Sequence, residues 1–493
     1  MVSKKDQGVI TKEPGGDELV LKELGYLQQL KRSMGGFSSF AISFSLISVI
    51  TGVFANFTFG VQQVGGAIIW SWLVVGLGQL MVALVMADLS NRFPIAGYGY
   101  QWSSRLTNPH IGYFVAWALL MQFITGFPGV SQALVTTVIR SSATGSGEWI
   151  ITFLTLAVIT AIMLIHLFGI RLVTFVNEAG VWAEITGVIA IITILGGLWL
   201  FSGKFDFSNL FESRNSITGQ SSGFSEFALS LLVGAWCMTG FEAAADLAEE
   251  TQQAKRRVPR AIIGSQAAAT LSGFLVIAVI LLSTEDISAL QDNNNSVLAI
   301  LGSRIGNTGS TLFTFVIILS IFACGLASMA TASRLIYSLA RDNMLPFSGV
   351  LAKVEPKYHT PRNATLLVWL MGCIFVVIIR HLEIINSISA VAGYMGYCGM
   401  LLSTIFSKKQ FRNTEGFTLG RFQKPVRIMA LMWTTIVVIA LTVPATHIPG
   451  MQETHLPAKS TFVALLAGTI LYLSVVRGRI NTKKAGPPRT DYS

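Results

Sequence analysis

A short polar interruption lies in the middle of a long apolar stretch at residues 230–258. The stretch starts as an apolar run, contains Thr239-Gly240-Phe241-Glu242 and ends in a charged segment. Glycine destabilises a helix by about 1 kcal/mol relative to alanine, and an ionisable group at membrane depth costs roughly 2.5 kcal/mol or more unless it faces protein or water. A plain membrane anchor has no use for either, so these residues are the first candidates for a binding site.

A second interruption lies in the first apolar run, where Thr51-Gly52 is preceded by the hydroxyl residues Ser43, Ser45 and Ser48. The two interrupted runs are spans 1 and 6, which are five spans apart. Because five is odd, two five-span units would face opposite ways across the membrane, as in inverted-repeat transporters. Paired interruptions of this kind point to a binding site near the bilayer midplane. The alternative interpretation is helix packing, because glycine is frequent in membrane helices for that reason.

The composition excludes a soluble globular protein. Of 493 residues, 52% are hydrophobic and only 12% are charged, and the mean hydropathy is +0.61. Apolar runs of about 20 residues recur along the chain, and we count twelve, which predicts a multi-pass membrane protein. The first 36 residues are polar and lack the pattern of a cleavable signal peptide, so the first apolar run is expected to stay in the membrane.

The basic residues predict the orientation of the chain. With the N-terminus inside, only six lysines and arginines lie in outside connections, namely Arg140, Lys204, Arg214, Arg304, Arg380 and Lys459. This asymmetry predicts that both termini are cytoplasmic. It also explains the net charge of +10 better than a nucleic-acid partner would, so the expected partners are the lipid bilayer and a small molecule.

Motifs for enzyme chemistry or metal binding do not occur in the sequence. The four cysteines, Cys237, Cys324, Cys373 and Cys398, all lie in apolar runs, which argues against a disulfide framework or a zinc site. There is no HExxH and no GxSxG sequence. We therefore predict no enzyme activity, no cofactor and no metal, and a channel is the alternative from a different class.

Several motifs together resemble a known family. Thr239-Gly240-Phe241-Glu242, followed by Ala248-Glu249-Glu250-Thr251 and Val258-Pro259-Arg260-Ala261, resembles the sixth-span signature of the amino acid, polyamine and organocation transporter superfamily. Asn91-Arg92-Phe93-Pro94 and Thr360-Pro361-Arg362-Asn363-Ala364 are similar to its connections between spans 2 and 3 and between spans 8 and 9. Leu24-Gly25-Tyr26 is closest to the amino acid/choline transporter branch. The resemblance covers about residues 24–480.

The resemblance implies an all-α polytopic membrane protein with twelve transmembrane helices, built as a LeuT-type 5+5 inverted repeat plus two extra helices. The implied units are a cytoplasmic tail at 1–36, a first repeat (spans 1–5) at 37–206, a second repeat (spans 6–10) at 207–407, spans 11 and 12 with their preceding cytoplasmic loop at 408–476, and a cytoplasmic tail at 477–493.

The resemblance also implies a substrate site at the helix ends. A half-helix N-terminus suits a carboxylate, and the C-terminal end of its partner suits an ammonium group. The substrate carboxylate would be held by the backbone around Ile50, Thr51, Gly52 and Val53. The amine would be received between Cys237 and Gly240, including Thr239, and Phe241 would cover the substrate as an aromatic gate.

Glu242 has two possible roles, and three other residues, Glu184, Ser328 and Thr331, are candidates for ion coupling. Glu242 either binds the cationic part of the substrate or a proton, or pins the two halves of span 6 through hydrogen bonds. Glu184 in span 5 is a candidate for coupling, whereas Glu178 is expected at the interface. Ser328 and Thr331 in span 8 either contribute to an ion site or serve close helix packing. Span 5 has no lysine of the kind linked to proton coupling in parts of the superfamily, so the coupling ion stays open between H+ and Na+.

The predicted function is secondary active transport of an amino acid or a related small amine across the plasma membrane by alternating access, as ion-coupled import. Choline, γ-aminobutyrate, polyamines and vitamin precursors are alternative substrates within the same fold.

Overall fold

The computed structural model describes residues 16–141, 147–201, 207–215, 219–284, 287, 290, 297–379, 382–407, 416–442 and 456–488. Within these ranges the regular elements are helices, accompanied by two isolated β-bridges. In chain order the α-helices are α1 Gly16–Glu23, α2 Gly36–Ile47, α3 Val49–Val64, α4 Ile68–Arg92, α5 Tyr98–Leu106, α6 Pro109–Ser141, α7 Glu148–Leu167, α8 Ile170–Phe201, α9 Phe224–Cys237, α10 Ala243–Asp246, α11 Ala254–Leu282, α12 Val297–Arg341, α13 Ser348–Leu351, α14 Arg362–Ile378, α15 Leu382–Ile405, α16 Gln423–Thr442, α17 Leu456–Leu471 and α18 Arg477–Asn481.

The long apolar helices are those of a multi-pass membrane protein. Among the described residues, nine helical segments are long and apolar enough to cross a membrane, and α9 and α14 are shorter apolar helices. The first of the nine, Gly36–Arg92, contains α2, α3 and α4. The number of twelve crossings, the inverted repeat and the domain boundaries stay predictions.

The first apolar run is broken at Ser48, which corrects the expected position at Thr51-Gly52. Ser48 has φ 35° and ψ 93°, and it separates α2 from α3. Its hydroxyl accepts a hydrogen bond from the Thr51 N–H at 3.2 Å, as an N-cap does. Thr51 and Gly52 lie inside the first turn of α3. The break therefore lies at a residue whose side chain can cap α3. Gly52 is not the residue that breaks the helix.

Gly52 allows α3 to approach α9 closely. A Cβ at Gly52 would lie 2.4 Å from the Cys237 sulfur and 2.6 Å from its Cβ. Real Cβ atoms do not come this close to other heavy atoms, so only glycine fits between the two helices at this point.

The run at residues 230–258 is broken where the sequence predicts it. α9 ends at Cys237, and α10 begins at Ala243. Gly240 has φ 106°, a conformation that L-residues with a side chain rarely adopt. A Cβ at Gly240 would also lie 2.4 Å from Cγ of Leu46, which belongs to α2. Both glycines therefore hold the two broken runs against each other.

Both terminal segments pack on one end of the helix bundle, which we name the terminal face and define by Tyr26, Asp342 and Gly486. The Tyr26 hydroxyl donates to both Asp342 carboxylate oxygens, at 2.9 and 2.8 Å. The Gly486 N–H donates to the Asp342 carbonyl at 2.9 Å. Burial, followed by the nearby Asp342 carboxylate, raises the pKa of Tyr26 well above its usual range, so this hydroxyl stays a donor. Placement of both terminal segments at one end is what an even number of membrane crossings requires.

Two buried ion pairs lie at the same end and join the segment after α10 to α12. Arg334 Nε lies 2.8 Å from a Glu250 carboxylate oxygen, and both side chains are at most 1% exposed. Arg341 Nη1 lies 3.0 Å from a Glu249 carboxylate oxygen, and this arginine side chain is 12% exposed. The motif Ala248-Glu249-Glu250-Thr251, which is similar to the family signature, therefore anchors the chain after the break to α12.

We predict that Glu250→Ala destabilises the protein strongly, because Arg334 would keep a buried charge without its partner. The expected cost is about 3–5 kcal/mol, seen as a clear fall of Tm in thermal unfolding of the detergent-solubilised protein. The charge-free pair Arg334→Met with Glu250→Met should recover most of that loss. A single variant as stable as the wild type would show that the pair does not hold this end of the bundle.

Candidate functional site

A small pocket lies between the two broken runs. Its volume is about 30 Å³, which is room for about two water molecules. An amino acid is larger than this, so the helices around the pocket must move apart to admit one. The walls come from α2, α3, α6, α9, α12 and α15, together with the segment between α9 and α10.

Five of the residues predicted from the sequence line this pocket, namely Thr51, Cys237, Thr239, Gly240 and Ser328. Ser328, for which the sequence leaves an ion site or helix packing open, lines the same pocket as the substrate candidates, and its role in coupling stays a prediction. Thr51 comes from the first turn of α3, directly after the break, so the pocket borders the N-terminus of that helix.

The other predicted residues lie around the pocket and do not line it. Ile50 and Val53 are buried in the core at 1% exposure, and Gly52 packs on Cys237. Thr331 is buried and donates to the carbonyl of Ala327 on its own helix, at 3.0 Å. None of these four residues lines the pocket.

Phe241 lies beside the pocket wall and packs against Tyr397. The two ring centroids are 6.0 Å apart, and Phe241 is fully buried. Its carbonyl accepts a hydrogen bond from the Ser43 hydroxyl at 2.8 Å. The aromatic ring that lines the pocket from α9 is instead that of Trp236, and the gating role of Phe241 stays a prediction.

Glu242 is braced by hydrogen bonds from three directions. Its Oε1 accepts from the Tyr397 hydroxyl at 2.7 Å and from Gln122 Nε2 at 3.3 Å. Its Oε2 accepts from the Gly240 N–H at 3.0 Å. These donors come from α15, α6 and the break itself, so the carboxylate ties the interrupted run to two other helices. The bonds favour the structural interpretation of Glu242.

The carbonyl groups at the end of α2 are bonded by two cysteine thiols. Cys237 donates to the carbonyls of Ile47 at 3.2 Å and Ser48 at 3.4 Å. Cys324 donates to the carbonyl of Leu46 at 3.4 Å. Thiols are weak donors, so an ammonium group can displace them from these carbonyls. Such carbonyls at a broken helix end are the groups that suit a cation.

Glu184 lies at the opposite side of the same break. Its Oε1 accepts from the Ile50 N–H at 3.3 Å, and its Oε2 accepts from the Ser320 hydroxyl at 3.2 Å. The side chain is 1% exposed. The carboxylate therefore occupies the N-terminus of α3, where the helix dipole favours a negative charge.

Sequence reasoning missed the contribution of α6 and α15 to the pocket. Gln122, Gly126 and Val130 follow one another at helical spacing along α6, and Ser389 comes from α15. Ser389 donates to the carbonyl of Gln122 at 2.8 Å, which joins the two helices beside the pocket. A glutamine in an apolar run at residue 122 is a signal that could have identified this face.

Known proteins match this chain along most of its length. A family model described as "Amino acid permease" matches residues 34–471. The amino-acid permease BAT1 of Arabidopsis thaliana is 29% identical over 490 residues, which cover 92% of this chain and 93% of that protein. A putative polyamine transporter of Candida albicans is 26% identical, covering 93% of this chain and 86% of that protein. The thiamine transporter thi9 of Schizosaccharomyces pombe is 24% identical, covering 90% and 82%.

These matches define a membrane transport protein and not an enzyme. The chain belongs to the amino acid permease family, within the amino acid, polyamine and organocation superfamily, as its sequence motifs predict.

We predict that Gly240→Ala lowers transport at least about tenfold, because alanine is strained at this φ by roughly 1–3 kcal/mol and its Cβ would meet Leu46. Uptake into cells is measured with surface expression in parallel. The matched control is Gly197→Ala in α8, where nothing lies within 4 Å of the added Cβ. Equal uptake by the two variants would contradict the placement of the break.

A second prediction concerns the contact between α3 and α9. Gly52→Ala should impair folding or transport, because its Cβ would overlap Cys237. Adding Cys237→Gly to the same chain removes the overlapping atoms and should restore part of the lost uptake. If the double variant is no better than Gly52→Ala alone, the close contact is not what the glycine is needed for.

Proposed function

We propose that this protein is a secondary active transporter that carries an amino acid across the plasma membrane by alternating access, as ion-coupled import. The observation that carries the proposal is the pocket between the two broken runs. It borders the N-terminus of α3 on one side and, on the other, carbonyls at the end of α2 that accept weak hydrogen bonds from thiols. A zwitterion has one charge for each of these ends.

The chemistry of the lining favours a neutral side chain on the substrate. Among the described residues that line the pocket, none is charged, and the walls are apolar, hydroxyl, thiol and amide groups. A polyamine would bring several positive charges into a lining whose described residues include no carboxylate. The carboxylate of Glu242 lies behind this lining, where it accepts hydrogen bonds from Gln122 and from the Gly240 N–H. Related amines, including γ-aminobutyrate, choline, polyamines and thiamine, are the competing substrates within the same mechanism.

Alternating access requires that the terminal face opens and closes. In this structure the two ion pairs and the contacts of Tyr26 with Asp342 close that end. The inverted repeat of residues 37–206 and 207–407 would supply the two moving units. The distribution of lysine and arginine supports a cytoplasmic position for the terminal face. A pocket of about 30 Å³ with a closed end supports a carrier over an open channel.

The test is counterflow exchange by the purified full-length protein in liposomes. The labelled probes are L-alanine, L-leucine, L-arginine, L-glutamate, γ-aminobutyrate, putrescine, choline and thiamine. We expect exchange of neutral amino acids above that of putrescine, choline and thiamine, because the lining has no charged side chain. The control is the Gly240→Ala variant in matched liposomes. Exchange of amines alone would contradict the amino acid assignment, and a conductance without exchange would contradict the carrier mechanism.

A further inference from the structure

Glu184 and the proposed position of the substrate carboxylate share one helix N-terminus. In the first turn of α3, Thr51 lines the pocket, whereas Ile50 is buried and does not line it. The Ile50 N–H donates to Glu184 at 3.3 Å, and the Thr51 N–H donates to the Ser48 hydroxyl at 3.2 Å. The chain therefore places its own carboxylate at the N-terminus that the proposed function assigns to the carboxylate of the substrate.

No positive group compensates Glu184 in the part of the chain that the structure describes. The groups that hydrogen-bond to it are neutral, namely the N–H groups of Ile50 and Val49 and the hydroxyls of Ser320 and Ser48. It takes part in none of the ion pairs found there. The titratable groups that face it are two thiols, Cys237 on α9 and Cys324 on α12.

The charged groups on the other helices that pack against α8 are engaged elsewhere or lie at helix ends. On α7, the His166 ring bonds to the carbonyl of Leu326 at 3.0 Å. On α12, Arg334 pairs with Glu250. On α8 itself, Glu178 accepts a hydrogen bond from Ser38 of α2. The basic residues of α11 are confined to its first two turns, at Lys255, Arg256, Arg257 and Arg260.

Two ionised carboxylates at one helix N-terminus repel each other, and in a buried site the repulsion is resolved when one of them takes up a proton. The substrate carboxylate of an amino acid stays ionised in water at neutral pH. The buried Glu184 is the group that changes its protonation state.

We propose that Glu184 is the proton-coupling residue, and that it binds one proton when the carboxylate of an amino acid occupies the N-terminus of α3. The proton comes from the water on the side from which the substrate enters. It leaves to the water on the other side when the substrate carboxylate leaves and Glu184 returns to the Ile50 N–H. This proposal rests on the proposed function.

The test compares wild type, Glu184→Gln and Glu178→Gln in proteoliposomes with L-alanine, L-leucine, L-glutamate, L-arginine and γ-aminobutyrate. Glutamine keeps the size of Glu184 and can accept from Ile50 and donate to Ser320, but it cannot exchange a proton. We expect Glu184→Gln to retain counterflow exchange and to lose accumulation driven by an acidic outside solution. Glu178→Gln, on the same helix but outside the site, should behave like the wild type in both assays.

If Glu184→Gln does not fold, proton uptake on substrate binding can be measured directly on the wild type. The transported amino acid is added to the solubilised wild type in weak buffer with a pH-indicator dye. One proton should be taken up for each substrate bound, and affinity should fall by up to about tenfold per pH unit over the range in which the site loses its proton.

The outcomes separate this proposal from the proposed function. If Glu184→Gln still accumulates substrate with the proton gradient, or if the wild type takes up no proton on binding, Glu184 is not the coupling residue. If a sodium gradient alone drives the wild type, transport stands and proton coupling at Glu184 fails. If the wild type exchanges none of the five probes, the amino acid assignment fails, and the role of Glu184 fails with it.

Discussion

A helix that breaks at membrane depth leaves backbone groups without partners where no lipid can supply one, and the organisation of this protein follows from that constraint. At the first break, Ser48 caps Thr51, Glu184 accepts from Ile50, and two thiols bond the carbonyls at the end of α2. At the second break, Gln79 donates to the carbonyl of Met238 at 3.0 Å. Each partner comes from a neighbouring helix or from the cap, so the breaks determine which helices must meet at the pocket.

These hydrogen-bond partners are also groups that a substrate could replace. The groups that satisfy the broken ends here are a buried carboxylate and two weakly bonded thiols, and a substrate that brings an ammonium and a carboxylate can replace them with stronger charge-assisted bonds. On the proposed function, binding would change the hydrogen bonding of α2, α3 and α9 together. Glu249 and Glu250 follow the second break by a few residues and pair with α12. A movement of the backbone at the second break would therefore act directly on these two ion pairs at the terminal face.

The sequence predicted the all-helical membrane architecture, the break at Gly240 and most of one pocket wall, because apolar length, glycine and an intramembrane carboxylate are local signals. It placed the first break at Thr51-Gly52, since a glycine suggests a break, whereas Ser48 both ends α2 and caps α3. The partners of Glu184 and Glu242 could not be predicted, because Ile50 and Tyr397 are distant in the chain. The α6 wall was missed for the same reason: its role depends on which face of the helix meets the breaks.

On the proposed function, the substrate binds between the two breaks and displaces the thiols from the carbonyls of α2. Cysteine protection measures this directly: the purified protein is treated with a small methanethiosulfonate reagent with and without the transported amino acid, and modification is quantified at each cysteine by mass spectrometry. We expect the amino acid to slow modification of Cys237 and Cys324, while Cys373, on α14 and away from the pocket, reacts equally in both samples. Unchanged modification at both pocket cysteines, under conditions where the amino acid is transported, would contradict binding between the two breaks.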